Sequence, residues 1–176
     1  MTFWEHLDEL RKVLFRSAVV IAVLMAGIFM AKDFVFNTVV FAPIDSDFVL
    51  YRLIDKALVM LNMPTLPEFH LELINIDLSA QFFIHVSTTF YFALVLAIPF
   101  IIYQLWSFVK PALYDNEKRA AQAAFAFSGV LFLLGVLVGY FLIFPLTLRF
   151  LGTYQVSYEV ANQISLQSYI SMFTWL

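Results

Sequence analysis

The sequence predicts an all-α integral membrane protein: a helical bundle with three complete transmembrane helices, the start of a fourth, and an outer loop that contains an amphipathic helix. Composition is the first observation, since 62% of the 176 residues are hydrophobic and 13% are charged, against about 45–50% and about 25% in average soluble domains. The second is a mean hydropathy of +0.87. The third is the grouping of apolar residues into long runs between short charged stretches.

Charge and cysteine content exclude several classes of protein. The net charge is −3 and no cysteine is present, so a basic nucleic-acid-binding face, disulfides and thiolate chemistry are not expected. Aromatic residues make up 18% of the chain, which suits lipid-facing surfaces and interfacial belts. We therefore expect one membrane domain over residues 1–176, in contact with the lipid bilayer and with no soluble second domain.

The first span is predicted over residues 13–31. Thr2 and Glu5 have the spacing of a capping box that starts a helix at the N-terminus. The apolar run is about long enough to cross a bilayer, and its one charge, Arg16, is close enough to the end to reach the interface. An acidic beginning without a small-residue cleavage pattern favours a permanent span over a cleaved signal peptide.

An outer loop is predicted over residues 32–79, where most of the acidic residues occur. Within it, residues 50–61 have the apolar spacing of a short amphipathic helix, with leucines on one side and Arg52, Asp55 and Lys56 on the other. This helix is expected to lie at the membrane interface or to cap the bundle. The segment "FHLELINID" at residues 69–77 is expected to be an extended connector.

The remaining spans follow from two long apolar runs. The second span is predicted over residues 80–109, with Pro99 as the point where it bends, and the third over residues 120–145, closing near Pro145. A fourth begins at about residue 166, and the apolar run is cut short at residue 176. This pattern predicts a chain that holds only part of a larger bundle.

The distribution of basic residues predicts the orientation in the membrane. Arg11, Lys12 and Arg16 flank the start of the first span, and Lys110, Lys118 and Arg119 fill the loop of residues 110–119. The other side holds four basic residues over a far longer stretch that also carries most of the acids. The positive-inside rule therefore places the N-terminus and the loop of residues 110–119 in the cytoplasm.

Two carboxylates on that side are candidate ligand-binding groups. Glu9 and Glu117 each lie near the start of a predicted helix, where a negative charge is favoured by the helix dipole. Taken singly, each acid is best explained as an anchor or a helix-end charge. As a pair they have the chemistry to bind cations such as guanidinium groups. Lys12, Lys118 and Arg119 are close enough in sequence to neutralise both acids instead, and spacing does not decide between these alternatives.

The loop itself carries a second cluster, consisting of Phe108, Pro111, Leu113 and Tyr114. An interfacial aromatic belt beside a helix-breaking proline explains these residues without any ligand. A stiff apolar ledge next to a carboxylate is, however, also what a peptide-docking site requires, and Pro111 restricts the residue before it to extended geometry.

No catalytic, metal or cofactor site is predicted. His6, His70 and His85 have no metal-ligand spacing. His6 lies three residues before Glu9, where it is either a hydrogen-bond partner for that carboxylate or a solvated interfacial side chain. Ser128 lacks the flanking pattern of a nucleophile elbow. We therefore do not expect an enzyme.

Four segments of the sequence carry a pattern of known order and spacing: "HLDELRKVLFR" at residues 6–16, "API" at 42–44, "IPFIIYQLWSFVKPALYDNEKR" at 98–119 and "YFLIFP" at 140–145. Together they resemble the TatC family of the twin-arginine protein translocase. Their order and spacing match, and the pattern F-x-x-P-x-L-Y-x-x-E at residues 108–117 is highly specific. The resemblance extends over nearly the whole chain, with a longer first outer loop than in many relatives.

The resemblance implies a receptor in the bacterial inner membrane that binds the twin-arginine signal peptides of folded proteins. It implies assembly with small single-span Tat subunits and with other copies of itself, for export driven by the proton-motive force. Glu9 and Glu117 take the positions of the twin-arginine site. His6 and Arg11 would support Glu9, while Phe108, Pro111, Leu113 and Tyr114 would shape the loop. Pro43, Pro99 and Pro145 match prolines that bend or cap helices.

The resemblance also implies six spans, of which this sequence holds three and the start of a fourth, so we expect a fragment with the recognition half. The alternative function is half of a small dimeric transporter or channel, for which bent spans and polar outer loops are also typical. A transporter should carry ionisable residues at mid-membrane. The span interiors hold almost none apart from His85, which favours the receptor.

Overall fold

The computed structural model describes residues 3–65, 71–154 and 163–175 and consists almost entirely of helices. The long helices are α1 (Phe3–Met30), α4 (Ala80–Val109) and α5 (Asp115–Val138). Shorter ones are α2 (Lys32–Phe34), α3 (Val49–Met60), α6 (Phe144–Thr153) and α7 (Leu166–Trp175). Thr2, of the predicted capping box, and His70 lie outside the described residues. The all-α membrane fold predicted from composition is confirmed.

Within the described segments, four stretches are long and apolar enough to cross a membrane: Trp4–Met30, Lys32–Met60, Ala80–Ala112 and Asp115–Thr153. The third and fourth contain the predicted second and third spans, and the first covers the predicted first span except for residue 31. Lys32–Met60 lies in the predicted outer loop and is not one straight helix, because a 3-10 turn at Ala42–Ile44 and non-helical residues up to Phe48 interrupt it. The predicted beginning of a further helix near residue 166 corresponds to α7.

The helical path at the end of the third predicted span extends past Pro145. It continues through a π-helical turn at Gly139–Ile143 into α6, which ends at Thr153. Proline is tolerated there because it occupies the first turn of α6, where its missing N–H leaves few helical bonds unmade. Pro99 lies inside α4, which is helical from Ala80 to Val109, and the bend expected at Pro99 stays a prediction.

The outer segment contains the predicted amphipathic helix, and part of its predicted apolar face is covered. Leu50, Ile54 and Leu58 of that face are half-buried, whereas Leu53 and Leu61 are mostly exposed. Tyr51, which was not predicted for the face, is fully buried beside Leu50, so the covered side of α3 is shifted toward Tyr51. The extended connector is present as β1 (Leu73–Ile74), which pairs in parallel with β2 (Ile164–Ser165).

The chain divides into two compact units. One comprises Met1–Met30 and Val86–Gly135, and the other Ala31–His85 and Val136–Leu176. In the first unit α5 packs against α4: the Trp106 and Phe125 rings lie 5.6 Å apart, and a Cβ placed on Gly129 would meet Ile102 at 3.7 Å. No described residue of α5 is buried, as is usual for a helix whose surroundings include lipid chains.

The second unit is tied together by three tyrosine hydroxyls that donate to main-chain carbonyls near the proline breaks. Tyr140 donates to the carbonyl of Val39 at 2.8 Å, and Tyr169 donates to that of Val40. Tyr51 donates to the carbonyls of Pro145 at 2.9 Å and Pro43 at 3.3 Å. Pro43 has no N–H for Val39, four residues earlier, so a side chain replaces the lost helical bond.

Candidate functional site

The first unit contains a cavity where the N-terminal turns of α1 meet the end of α4. On α1 the cavity is lined by His6, Glu9, Val13 and Arg16, which are three or four residues apart and therefore share one face. On α4 it is lined by Gln104, Ser107 and Phe108, again on one helical face. Lys110, Pro111 and Lys118 complete the lining, and the cavity volume is about 350 Å³.

Two predicted site residues, His6 and Phe108, contact each other in the wall of the cavity. The rings of His6 and Phe108 are stacked, with centroids 4.2 Å apart and planes 27° from parallel. This contact joins α1 to the end of α4. The imidazole of His6 lies against the aromatic ring of Phe108. The hydrogen bond to the Glu9 carboxylate comes from Lys12.

Glu9 is paired with a cation of its own helix. The Lys12 ammonium donates to Oε1 of Glu9 at 2.7 Å, and the Glu9 side chain is 43% exposed. Glu9 precedes the uncharged run of residues 17–31, on the water side of the span. The hydrogen bond from Lys12, together with the charge of that residue, lowers the pKa of the Glu9 carboxyl below its ordinary value. The carboxylate is therefore ionised but already engaged.

Glu117 has a structural role at the start of α5. The Tyr114 N–H lies 3.4 Å from Oε2 of Glu117, and the Tyr114 carbonyl accepts hydrogen bonds from the N–H groups of Glu117 and Lys118. This is the acidic half of a capping box. The Nζ atom of Lys118 lies 2.7 Å from Oδ1 of Asp115. The hydrogen bond and the charge of Lys118 lower the pKa of the Asp115 carboxyl. Glu117 is exposed and does not belong to the cavity lining.

The structure thus brings together part of the predicted set. Four of the eight predicted binding residues line the cavity: His6, Glu9, Phe108 and Pro111. Arg11 and Tyr114 are exposed and Leu113 is half-buried, and none of them lines it. A shared site for Glu9 and Glu117 therefore stays a prediction.

Sequence reasoning did not single out several residues of the cavity. Gln104 is the most informative of them, because it is only 7% exposed and yet polar. Its position four residues before Phe108 puts both on one face of α4, and that spacing could have indicated it. Val13 and Arg16 follow Glu9 by four and seven residues, so the same argument applies to them.

Over residues 3–65, 71–154 and 163–175, no group of three His, Cys, Asp or Glu side chains is placed to hold a metal ion.

Comparisons with known proteins place this chain in a family. The family profile described as "Sec-independent protein translocase protein (TatC)" matches residues 5–176. The chain is 36% identical to the Sec-independent protein translocase protein TatC of Blattabacterium sp. over 98% of its own length and 66% of that protein. It is 31% identical to the TatC protein of Escherichia coli K12, over 91% of its length and 56% of that protein.

A solved structure agrees in fold. A crystal structure of the twin arginine translocase receptor TatC in DDM superposes with a TM-score of 0.69 at 29% identity, covering 96% of this chain and 66% of the other. This chain therefore spans between about half and two thirds of the length of these relatives. From the profile match over residues 5–176 and the agreement in fold, the chain belongs to the TatC family of Sec-independent protein translocase proteins.

Proposed function

We propose that this chain is a membrane receptor component of a twin-arginine translocation system, which binds the signal peptides of folded proteins for export driven by the proton-motive force. Family membership supports this role over the alternative of a transporter half. The protein in the matched crystal structure is a twin arginine translocase receptor. The observation that carries the proposal is the Glu9 carboxylate in a cavity walled by the stacked His6 and Phe108 rings.

The cavity suits one arginine of such a peptide. A guanidinium binds a carboxylate through two parallel hydrogen bonds, and its flat face packs well on an aromatic ring. Glu9 offers the carboxylate and Phe108 the ring. Glu117, at the start of α5 in the same unit, is the proposed partner of the second arginine. Binding of the first requires Lys12 to leave Glu9, because that carboxylate is already engaged.

The proposal also includes the location of the chain, its orientation in the membrane and its protein partners. We place the chain in a bacterial inner membrane as a multi-pass protein with a cytoplasmic N-terminus. Small single-span Tat subunits and further copies of the chain are its proposed partners. The basic residues around α1 and the loop of residues 110–119 support this orientation.

Peptide binding to variants of the two acids tests the site. Glu9→Gln and Glu117→Gln should each weaken binding of an Arg-Arg signal peptide several-fold, and charge reversal to Lys should weaken it further, because each change removes a charged acceptor for a guanidinium. Affinity is measured by fluorescence anisotropy with the purified chain in lipid nanodiscs.

Asp115→Glu is the matched control, since it changes a neighbouring carboxylate but keeps the charge that pairs with Lys118; its affinity should equal that of the wild type. A Lys-Lys peptide should bind the wild type more weakly than the Arg-Arg peptide. Equal affinities for the two peptides would remove the basis for the site assignment.

A further inference from the structure

The cavity that contains Glu9 has more positive than negative charge. Its charged lining consists of one carboxylate, that of Glu9, and three cations, those of Arg16, Lys110 and Lys118. Lys12 neutralises Glu9, and Asp115 neutralises Lys118. Among the described residues, Arg16 and Lys110 form no ion pair with a carboxylate. The balance of the lining therefore favours a negatively charged occupant.

Gln104 adds a polar group to the lining of the cavity. The residue is 7% exposed and lines the cavity from α4. A side-chain amide can donate hydrogen bonds through its NH2 group. An anionic occupant of the cavity can therefore accept a hydrogen bond from Gln104.

The position of the cavity along the helices indicates where such an anion comes from. The uncharged run of α1 starts at Ser17, directly after Arg16, and α4 carries no formal charge between Ala80 and Val109. The cavity thus lies where both helices pass from apolar to charged sequence, at the depth of lipid headgroups. Val13, Phe108 and Pro111 give it an apolar side. Basic pockets between helices at this level bind anionic headgroups.

We propose that this cavity binds the phosphate of an anionic phospholipid headgroup. The Arg16 guanidinium and the Lys110 ammonium supply the charge, and the Gln104 amide donates a hydrogen bond to a phosphate oxygen. A guanidinium matches two phosphate oxygens at once, whereas the ammonium acts as a point charge. One consequence rests on the function proposed above: the bound phosphate would offset cations that otherwise repel a peptide guanidinium beside Glu9.

Lipid retention, measured without any peptide, tests this proposal separately from signal-peptide binding. The purified chain is equilibrated with equimolar phosphatidylglycerol and phosphatidylcholine in detergent, and bound lipid is counted by native mass spectrometry. We expect preferential retention of phosphatidylglycerol and a several-fold loss of it in Arg16→Gln, Lys110→Gln and Gln104→Leu. Arg119→Gln is the matched control, because Arg119 is exposed and does not line the cavity.

Three outcomes would overturn the proposal. Equal retention of the two lipids would show that the chain does not prefer an anionic headgroup. An equal loss in Arg119→Gln would show only a general attraction between basic side chains and anionic lipid. Displacement of phosphatidylglycerol by millimolar inorganic phosphate would identify a free anion as the occupant instead of a lipid. Helix content by circular dichroism confirms that each variant has folded.

Discussion

The contact between Glu9 and Lys12 has two opposite effects on the binding of a ligand cation by Glu9. Its carboxylate is ionised because the hydrogen bond and charge of Lys12 lower its pKa. The same contact competes with any ligand cation. Each side chain is about half exposed, and ion pairs in contact with water contribute little to stability because water screens them. Lys12 is thus well suited to exchange with an incoming guanidinium.

Removal of Lys12 should change the pH dependence of peptide binding. In Lys12→Met the pKa of Glu9 should rise toward its ordinary value, because the hydrogen bond and the charge that lower it are gone. A carboxylate with a lowered pKa remains ionised to lower pH, so the wild type should keep its affinity further into the acid range. The loss of binding on acidification should therefore begin at higher pH in the variant.

The measurement is the affinity for an Arg-Arg peptide over a series of acidic buffers. Lys118→Met removes a cation from the same cavity and should raise the pKa of Asp115 instead. Its acid limb should coincide with that of the wild type. Coincidence of the Lys12→Met and wild-type limbs would contradict the role given to Lys12.

The helical elements of the second unit are joined by tyrosine hydroxyls that bond to main-chain carbonyls at or near Pro43 and Pro145. Pro43 has no N–H to bond to the Val39 carbonyl, and the Tyr140 hydroxyl bonds to that carbonyl instead. Tyr169 is the clearest example, since it and Val40 are both buried. The Ile44 N–H bonds to the Phe41 carbonyl in the 3-10 turn, which leaves the Val40 carbonyl for the Tyr169 hydroxyl.

Tyr169→Phe should lower the free energy of unfolding by about 1–3 kcal/mol, because it leaves the buried Val40 carbonyl unsatisfied while keeping the ring. Stability is measured by titration from mild detergent into SDS. Tyr103→Phe is the matched control, since Tyr103 is 63% exposed, and it should change stability little. Equal stabilities of Tyr169→Phe and Tyr103→Phe would show that the buried hydrogen bond is unimportant.

For the whole molecule, the testable property is orientation. Because the chain contains no cysteine, single-cysteine variants report sidedness without background. Cysteine at Asp8 or Asn116 should react with a membrane-impermeant maleimide only after permeabilisation, and cysteine at Ser46 should react from the outside of intact cells. All three positions are exposed. Labelling of Asp8→Cys in intact cells would reverse the proposed orientation.

The sequence by itself determined the class of fold, the approximate spans and the outer amphipathic helix. It also identified four of the residues that line the cavity, which are half of the eight predicted binding residues. These features follow from hydropathy and helical spacing, which act locally along the chain whatever the partners. Tertiary structure decided which face of α3 is buried, how far α6 extends past Pro145, and which cation engages which carboxylate. The Tyr51, Tyr140 and Tyr169 hydroxyls bond to carbonyls 94, 101 and 129 residues away. Such pairings depend on where distant segments meet, and no local pattern records that.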